Sequence, residues 1–352
     1  MPHPPDGAQV TTAGRRPTVT DVAARAGVST STASRALTDK EHASPGVRRR
    51  VREVATQLGY IPDLNARSLR AGTRKAVGVL VSNLRDSFYA DLATGIEAAL
   101  SAAGYSIILA MDNADETQEL AVVDTFAALR VPGVIMTAVS PAAVRKLIRA
   151  GIRVVQADRV VVDGQADAVL SGNRVGAAAA TAHILEHGHR RIALLIDEVK
   201  WTTGAGRLEG FRQAHQRYGV PVNESLVVFV SADQAAARGE VGRLLDEVPD
   251  LTAIFAANSV LAEAAFTEAQ SRGLRLPEQL SLVGYDDVRW MTIVRPALTT
   301  VSQHADEIGR CCADLLIRRL RDGTEGRPIS MYVDPTLTIR DSVHHLSSAN
   351  RH

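Results

Sequence analysis

The sequence predicts a small all-α helix-turn-helix head followed by an α/β body of two doubly wound parallel-sheet lobes. Three observations point there. Residues 18–37, TVTDVAARAGVSTSTASRAL, carry apolar positions at helical spacing on both sides of a glycine. Farther on, short β-rich runs alternate with amphipathic helical stretches in two successive sets. Charge is also divided. The 352 residues carry a net +1, yet residues 15–75 hold thirteen Arg and Lys against five Asp and Glu. That surplus of +8 leaves −7 for the rest. A basic head on an acidic body points to a polyanionic partner, with a plainly solvated surface as the alternative on charge alone.

Composition bounds the class. Hydrophobic residues make up 45% of the chain, as in a globular protein, and no apolar run approaches the ~20 residues of a membrane span. The opening MPHPPDGAQVTTAGRR lacks the apolar stretch of a secretory signal, so residues 1–17 read as a disordered leader and the location as cytoplasmic and nucleoid-associated. Cys311 and Cys312 are adjacent on a predicted helix, where neighbours do not face each other. They read as packing residues in a reducing compartment.

In the head, residues 18–61, Thr20 is the expected N-cap of the first helix, with Asp21 at its positive end. Val22, Ala23 and Ala26 form the inner stripe, Gly27 ends the helix in a left-handed conformation, and Val28 is buried in the turn. Ser29 caps the second helix. There Ala33, Ala36 and Leu37 face inward, while Ser31 and Arg35 point outward, flanked by Thr32 and Ser34, with Thr30 near the tip. Short hydroxyls let a helix sit deep in a major groove while one long cation reaches a base edge, most naturally guanine. A polar surface helix without DNA is the competing interpretation. Ser44 and Pro45 open a third helix with Val47, Val51, Val54, Ala55 and Leu58 on its apolar stripe and Gly59 at its end. Arg48, Arg49, Arg50 and Arg52 are candidate phosphate neighbours. Residues 62–75 form a join in which Leu64–Arg70 can make two helical turns, too short to persist without a partner.

The body, residues 76–341, runs AVGVLV, YSIILAM, GVIMTAV and RVVQAD, then RIALLID, LVVFVS, TAIFAAN and SLVGYD, each run followed by a helical stretch. Two parallel sheets imply two lobes with a ligand cleft at the carboxyl ends of the strands. Asp158, Asn258 and Asp286 stand at such ends, and Arg207 opens the helix after RIALLID. Carboxylates and a guanidinium fork suit a hydroxyl-rich or a planar polar ligand; each alone also fits a capping or ion-pair role. Residues 342–352, DSVHHLSSANRH without its first residue, read as a loose tail without apolar heptads.

These segments, with LGYIPDLNARSLRAGTRKAVGVLV, HGHRRIALL, GAGRLEGF, LSLVGYDD and PALTTVSQ, resemble in order the LacI/GalR-type (lactose repressor) family of bacterial transcription regulators over about residues 18–340. The resemblance implies a periplasmic-binding-protein-like body crossed three times by the chain. It implies a homodimer, with a tetramer left open, on double-stranded DNA with a near-palindromic operator. DNA contacts would come from Ser29, Thr30, Ser31, Ser34 and Arg35, with Arg67 and Leu69 in a hinge helix and Leu69 as a minor-groove wedge. It implies effector contacts from Phe88, Tyr89, Asp158, Thr203, Arg207, Asn258 and Asp286. Two departures stand out. Ser259 occupies a position where relatives often have Asp, and the loop at Ser231–Ala232, where relatives often carry an aromatic, has none, with Trp201 as the candidate substitute. TTGAGRLEGF is closer to purine-responsive members, but that likeness is short and the missing ring argues against carrying a nucleobase across, so the resemblance implies a sugar or sugar phosphate first, with a nucleobase or nucleoside as the alternative.

An enzyme and a secreted solute-binding protein are the rival classes. Gly204-Ala-Gly206 lacks the tight strand-to-helix turn of a dinucleotide loop, and no nucleophile elbow, Walker loop or metal-ligand cluster is present. His187 and His189 around Gly188 suit terminal carbonyls of a helix better than a metal. No catalytic residue, cofactor or metal is implied.

Overall fold

A computed structural model describes residues 17–37, 43–60, 76–197, 199–230, 234–323 and 326–346. The chain divides into two compact units, residues 1–74 and 75–352. In the first, α1 (Val19–Ala26), α2 (Thr30–Ala36) and α3 (Pro45–Leu58) pack around Val22, Ala23, Ala26, Ala33, Ala36, Val51, Val54 and Ala55. Val28 and Leu37 are half-buried against that core.

The first helix starts two residues before the expected cap. Thr18, not Thr20, is its N-cap. The Asp21 amide donates to Thr18 Oγ1 at 3.4 Å, and the Thr18 amide donates to Asp21 Oδ2 at 2.7 Å. A carboxylate three residues after Thr18 closes this reciprocal box, and nothing comparable follows Thr20. Gly27 and Gly59 end α1 and α3 at φ +64° and +63°, where a β-carbon is costly.

The second unit contains two six-stranded sheets. The first has order β11-β5-β4-β3-β1-β2, from β1 (Ala76–Val81), β2 (Ser106–Met111), β3 (Gly133–Met136), β4 (Arg153–Asp158), β5 (Asp167–Ser171) and β11 (Ser330–Val333), all parallel. The second has order β12-β10-β9-β8-β6-β7, from β6 (Ile192–Ile196), β7 (Val227–Phe229), β8 (Ala253–Ala256), β9 (Ser281–Tyr285), β10 (Thr299–Ser302) and β12 (Thr336–Thr338). Only β12 is antiparallel there, pairing with β10. The chain passes between lobes after β5, after β10 and after β11, so the three expected crossings are present.

Helices cover both faces. In the first lobe, α4 (Ser87–Ala102) packs on α12 (Ala305–Asp322). A β-carbon on Gly309 would lie 2.3 Å from the Leu92 carbonyl oxygen, so the crossing admits no side chain there. In the second lobe, α7 (Asn173–Glu186) packs on α8 (Thr202–Arg217). Gly204 and Gly206 lie inside α8, not in a turn, and a β-carbon on Gly210 would meet the Arg174 carbonyl oxygen at 2.2 Å. Gly206 and Gly210 of TTGAGRLEG therefore serve helix–helix approach.

The end of the chain is not loose through residue 346. Ser342 is buried, accepts from the Thr299 amide at 2.8 Å and donates to the Leu282 carbonyl. The Leu346 amide donates to the His187 carbonyl at 2.8 Å. Val343 packs against the second lobe's core. His189 holds the segment from the other side: its Nε2 meets the His344 carbonyl at 2.9 Å and Ser281 Oγ at 3.1 Å, and its Nδ1 meets Thr252 Oγ1 at 3.0 Å. The polar letters of DSVHHL suggested solvent, but their backbone and hydroxyl groups complete the ladder beside β9 and β10. His187 behaves as expected, with Nδ1 2.8 Å from the His183 carbonyl at the end of α7.

Candidate functional site

On the head, Ser29, Thr30, Ser31 and Arg35 are exposed and Ser34 is half-buried. Ser29 Oγ accepts from the Thr32 amide at 3.2 Å and lies 2.9 Å from Ser31 Oγ and 2.8 Å from Thr32 Oγ1. Capping thus explains Ser29 without DNA, while the same hydroxyls cluster at one helix end. Arg35 Nε donates to the Ser31 carbonyl at 3.2 Å, laying its long side chain back along α2. Arg67 and Leu69 lie outside the described residues.

In the body, the sequence-nominated groups converge at the carboxyl ends of the strands. Asp158, the last residue of β4, and Asp286, the residue after β9, take φ +67° and +84°. Such left-handed backbone costs a non-glycine residue of order 1–3 kcal/mol and marks a constrained position. Arg207 is buried in the second turn of α8, one turn beyond its expected place at the helix start. Its Nε donates to Asn173 Oδ1 at 2.8 Å, its Nη1 donates to the Ala257 carbonyl at 2.5 Å, and its plane lies 4.2 Å from the Tyr285 ring centre. Thr203 is buried one turn earlier. Asn258 caps α10 (Ser259–Ser271), accepting from the Leu261 amide at 2.8 Å, which is the capping role that competed with ligand contact.

Phe88 is part of the first lobe's core and meets Tyr89 edge-on, ring centres 5.3 Å apart. Tyr89 accepts a hydrogen bond from Arg159 Nη2. Burial pushes the Tyr89 phenol up to about 12. Arg159 is itself buried, 3.6 Å from Asp158 Oδ2, and its guanidinium lies 4.1 Å above the Trp201 ring of the other lobe.

Charge is concentrated here. Asp86, Asp112, Asp158 and Asp197 are all pushed upward by burial in the first instance. Asp86 and Asp112 each reach about 6. Burial opposes the charge on Arg207, but Tyr285, Asp286, Asp158 and Asp197 outweigh it and raise its pKa. Polar atoms of Asp112, Thr137, Asp158, Arg159, Ser171 and Gln303 are buried without a hydrogen-bond partner among the described residues. Every one of these residues sits at or just beyond a strand's carboxyl end. Buried polar atoms normally find partners, so such a ring of them suits a polar guest.

Comparison with known proteins agrees with this layout. Residues 18–63 match bacterial regulatory proteins of the lacI family, and residues 181–343 match a periplasmic binding protein-like domain. The chain is 32% identical to the HTH-type transcriptional regulator CelR of Thermobifida fusca, over 93% of this chain and 98% of that one. The chain belongs to the LacI family. A second LacI-type relative, the HTH-type transcriptional repressor PurR of Klebsiella pneumoniae, is 31% identical over 93% of this chain and 96% of its own. A solved CelR–cellobiose complex superimposes with a TM-score of 0.71 at 30% identity, over 93% of this chain and all of that one. The protein is accordingly a DNA-binding transcriptional regulator and not an enzyme. No helix among the described residues is long and apolar enough to cross a membrane.

For this LacI-family chain, sequence reasoning missed Asp86, Asp112, Arg159, Asn173, Asp197 and Gln303. The signal was present for some. Asp197 closes RIALLID, and Arg159 follows the nominated Asp158 directly. Asp86 stands before α4 as its N-cap, a place that local capping explains fully. Its second partner, Ser259 Oγ at 3.3 Å, lies 173 residues away, and no local pattern announces it.

Proposed function

We propose that this regulator binds a near-palindromic operator as a homodimer in the cytoplasm, and that a neutral sugar held between its lobes sets operator affinity. Ser29, Thr30, Ser31, Ser34 and Arg35 read the half-site, and Arg67 with Leu69 act at the operator centre. Phe88, Tyr89, Asp158, Thr203, Arg207, Asn258 and Asp286 frame the effector cleft, Phe88 and Asn258 chiefly by shaping it.

The observation that carries the sugar assignment is the charge balance around the partnerless polar atoms. Asp86, Asp112, Asp158, Asp197 and Asp286 surround the two guanidiniums of Arg159 and Arg207. Carboxylates accept from hydroxyls, and an Arg fork donates to them, which matches a polyol. A sugar phosphate brings further negative charge to a site where burial already lifts the carboxylate pKa values, and this disfavours it. CelR, whose solved complex contains cellobiose, and PurR are nearly equidistant from this chain, so overall identity does not choose between sugar and purine.

Thermal unfolding of the full chain with a panel of mono- and disaccharides, sugar phosphates and purine bases tests the reading. A neutral sugar at a hundred times its Kd stabilises the body by about 2.7 kcal/mol and changes operator retention. A response confined to phosphates or purines overturns the assignment. On the DNA side, Leu69→Ala is expected to reduce operator bending, and unchanged bending counts against the wedge.

A further inference from the structure

Asp86 belongs to the first lobe and Asp286 to the second, and Ser259 stands between them. Ser259 Oγ donates to Asp86 Oδ1 at 3.3 Å, while the Ser259 amide donates to Asp286 Oδ2 at 3.0 Å. One residue therefore bridges two carboxylates from opposite sides of the cleft. Gln303 Nε2 donates to the other Asp286 oxygen at 2.5 Å, and the Phe88 amide donates to Asp86 Oδ1 at 3.0 Å. The contact exists only while the lobes are together, because α4 and α10 belong to different lobes.

We propose that Asp86, Ser259 and Asp286 form a proton-sensitive latch that favours closure of the two lobes as pH falls, whichever molecule occupies the cleft. Around Asp86 the charged and titratable groups are Asp286 beyond β9, Arg207 on α8 and Tyr89 on its own helix. Burial and then Asp286 raise the Asp86 carboxyl to about 6, against the opposing influence of Phe88, Ser259 and Arg207. In an open cleft both of those raising influences weaken, and the carboxyl returns toward its ordinary 3.8. The closed form then binds the extra proton. Closure gains as pH falls through 6, and the gain vanishes above it. Between pH 8 and pH 5 the closed-to-open ratio rises about tenfold by this linkage. The Ser259 hydroxyl is part of the device: it donates to ionised Asp86 and adds no charge of its own.

Trp201 reports the closure. The chain has two tryptophans, and the Arg159 guanidinium of the first lobe lies 4.1 Å over the Trp201 ring of the second. The other, Trp290, packs against Phe266 within the second lobe. In the full chain carrying Trp290→Phe, acrylamide quenching of Trp201 is measured from pH 8 to pH 5, with circular dichroism confirming the fold. Quenching is expected to be flat near pH 8 and to fall as pH drops through about 6 toward 5. Asp86→Asn, which keeps an N-cap side chain, gives low quenching throughout. Ser259→Asp, which places a third carboxylate at the latch, gives high quenching at pH 8. Asp112→Asn retains the transition, which separates Asp86 from the other carboxyl raised to about 6. A pH-independent parent, or one and the same profile in the parent and Asp86→Asn, overturns the latch. A transition lost in Asp112→Asn but kept in Asp86→Asn overturns it too.

Discussion

The head and the body place polar groups by opposite rules. On α2 the hydroxyls and Arg35 are mostly exposed, and the hydrogen bonds among Ser29, Ser31 and Thr32 and from Arg35 to the Ser31 carbonyl span at most four residues. In the cleft, Arg159 and Arg207 are buried, and their hydrogen-bond partners lie dozens of residues away in the sequence. An exposed polar face costs little to keep and is free to exchange water for DNA. A buried charge is tolerated only while its counter-charges are in place. Mutation should therefore separate the two regions by the kind of damage done as well as by its size.

The largest expected effect is in the cleft. Arg207→Ala leaves Asp158, Asp197 and Asp286 without their shared guanidinium. Urea denaturation of the body should show a loss of about 3–5 kcal/mol, the range for removing one partner of a buried pair. A loss below 1 kcal/mol would mean that the charges there are solvated, and the contrast with the head would fail. Next is the His189 clasp. Burial lowers that imidazole to about 4, from 6.5 in the unfolded chain. The unfolded state then binds the proton first, so the stabilisation is complete above pH 6.5 and is lost as pH falls toward 4. Between pH 7 and pH 5 the loss is about 2 kcal/mol. It shows as a steeper acid slope in the parent than in His189→Gln, and equal slopes refute it. Arg35→Ala ranks third and moves a different quantity. Specific operator binding should weaken by about 1–3 kcal/mol, while unfolding changes by no more than about 0.5 kcal/mol. Equal losses on operator and random DNA would deny Arg35 a base contact.

The same contrast explains what the sequence made legible. Strand alternation, the Gly27 stop, the Ser29 cap and the Ala33–Ala36 stripe all depend on spacings of a few residues, and they could be read directly. Asp158 and Asp286 could be nominated because strand ends are where open α/β sheets bind ligands, and Arg207 because it lies early in the helix that follows such a strand and matches the family's pattern. Asn173 and Gln303 were not, because each follows a crossing between lobes, and only the folded topology brings them beside Arg207 and Asp286. The segment 342–346 was misjudged for a related reason. Its composition is that of a tail, and only its long-range pairing with β9 and β10 makes Ser342 a core residue.

The smallest expected effect probes where local reading itself divided between two threonines. Thr18 and Thr20 are both acceptable caps by residue type. Thr18 closes a reciprocal pair with Asp21, satisfying two of the amides that the start of α1 leaves open. Thr20 lies exposed within the first turn. Thr18→Ala should then destabilise the head by about 1 kcal/mol in thermal unfolding, and Thr20→Ala by less than about 0.5 kcal/mol. Because α1 supplies Val22, Ala23 and Ala26 to the core on which α2 rests, fraying its start loosens the support of α2 without touching any of the proposed DNA contacts. Operator affinity should fall only as far as the folded fraction of the head falls, and the preference for operator over random DNA should stay unchanged. A changed preference would assign Thr18 a contact of its own.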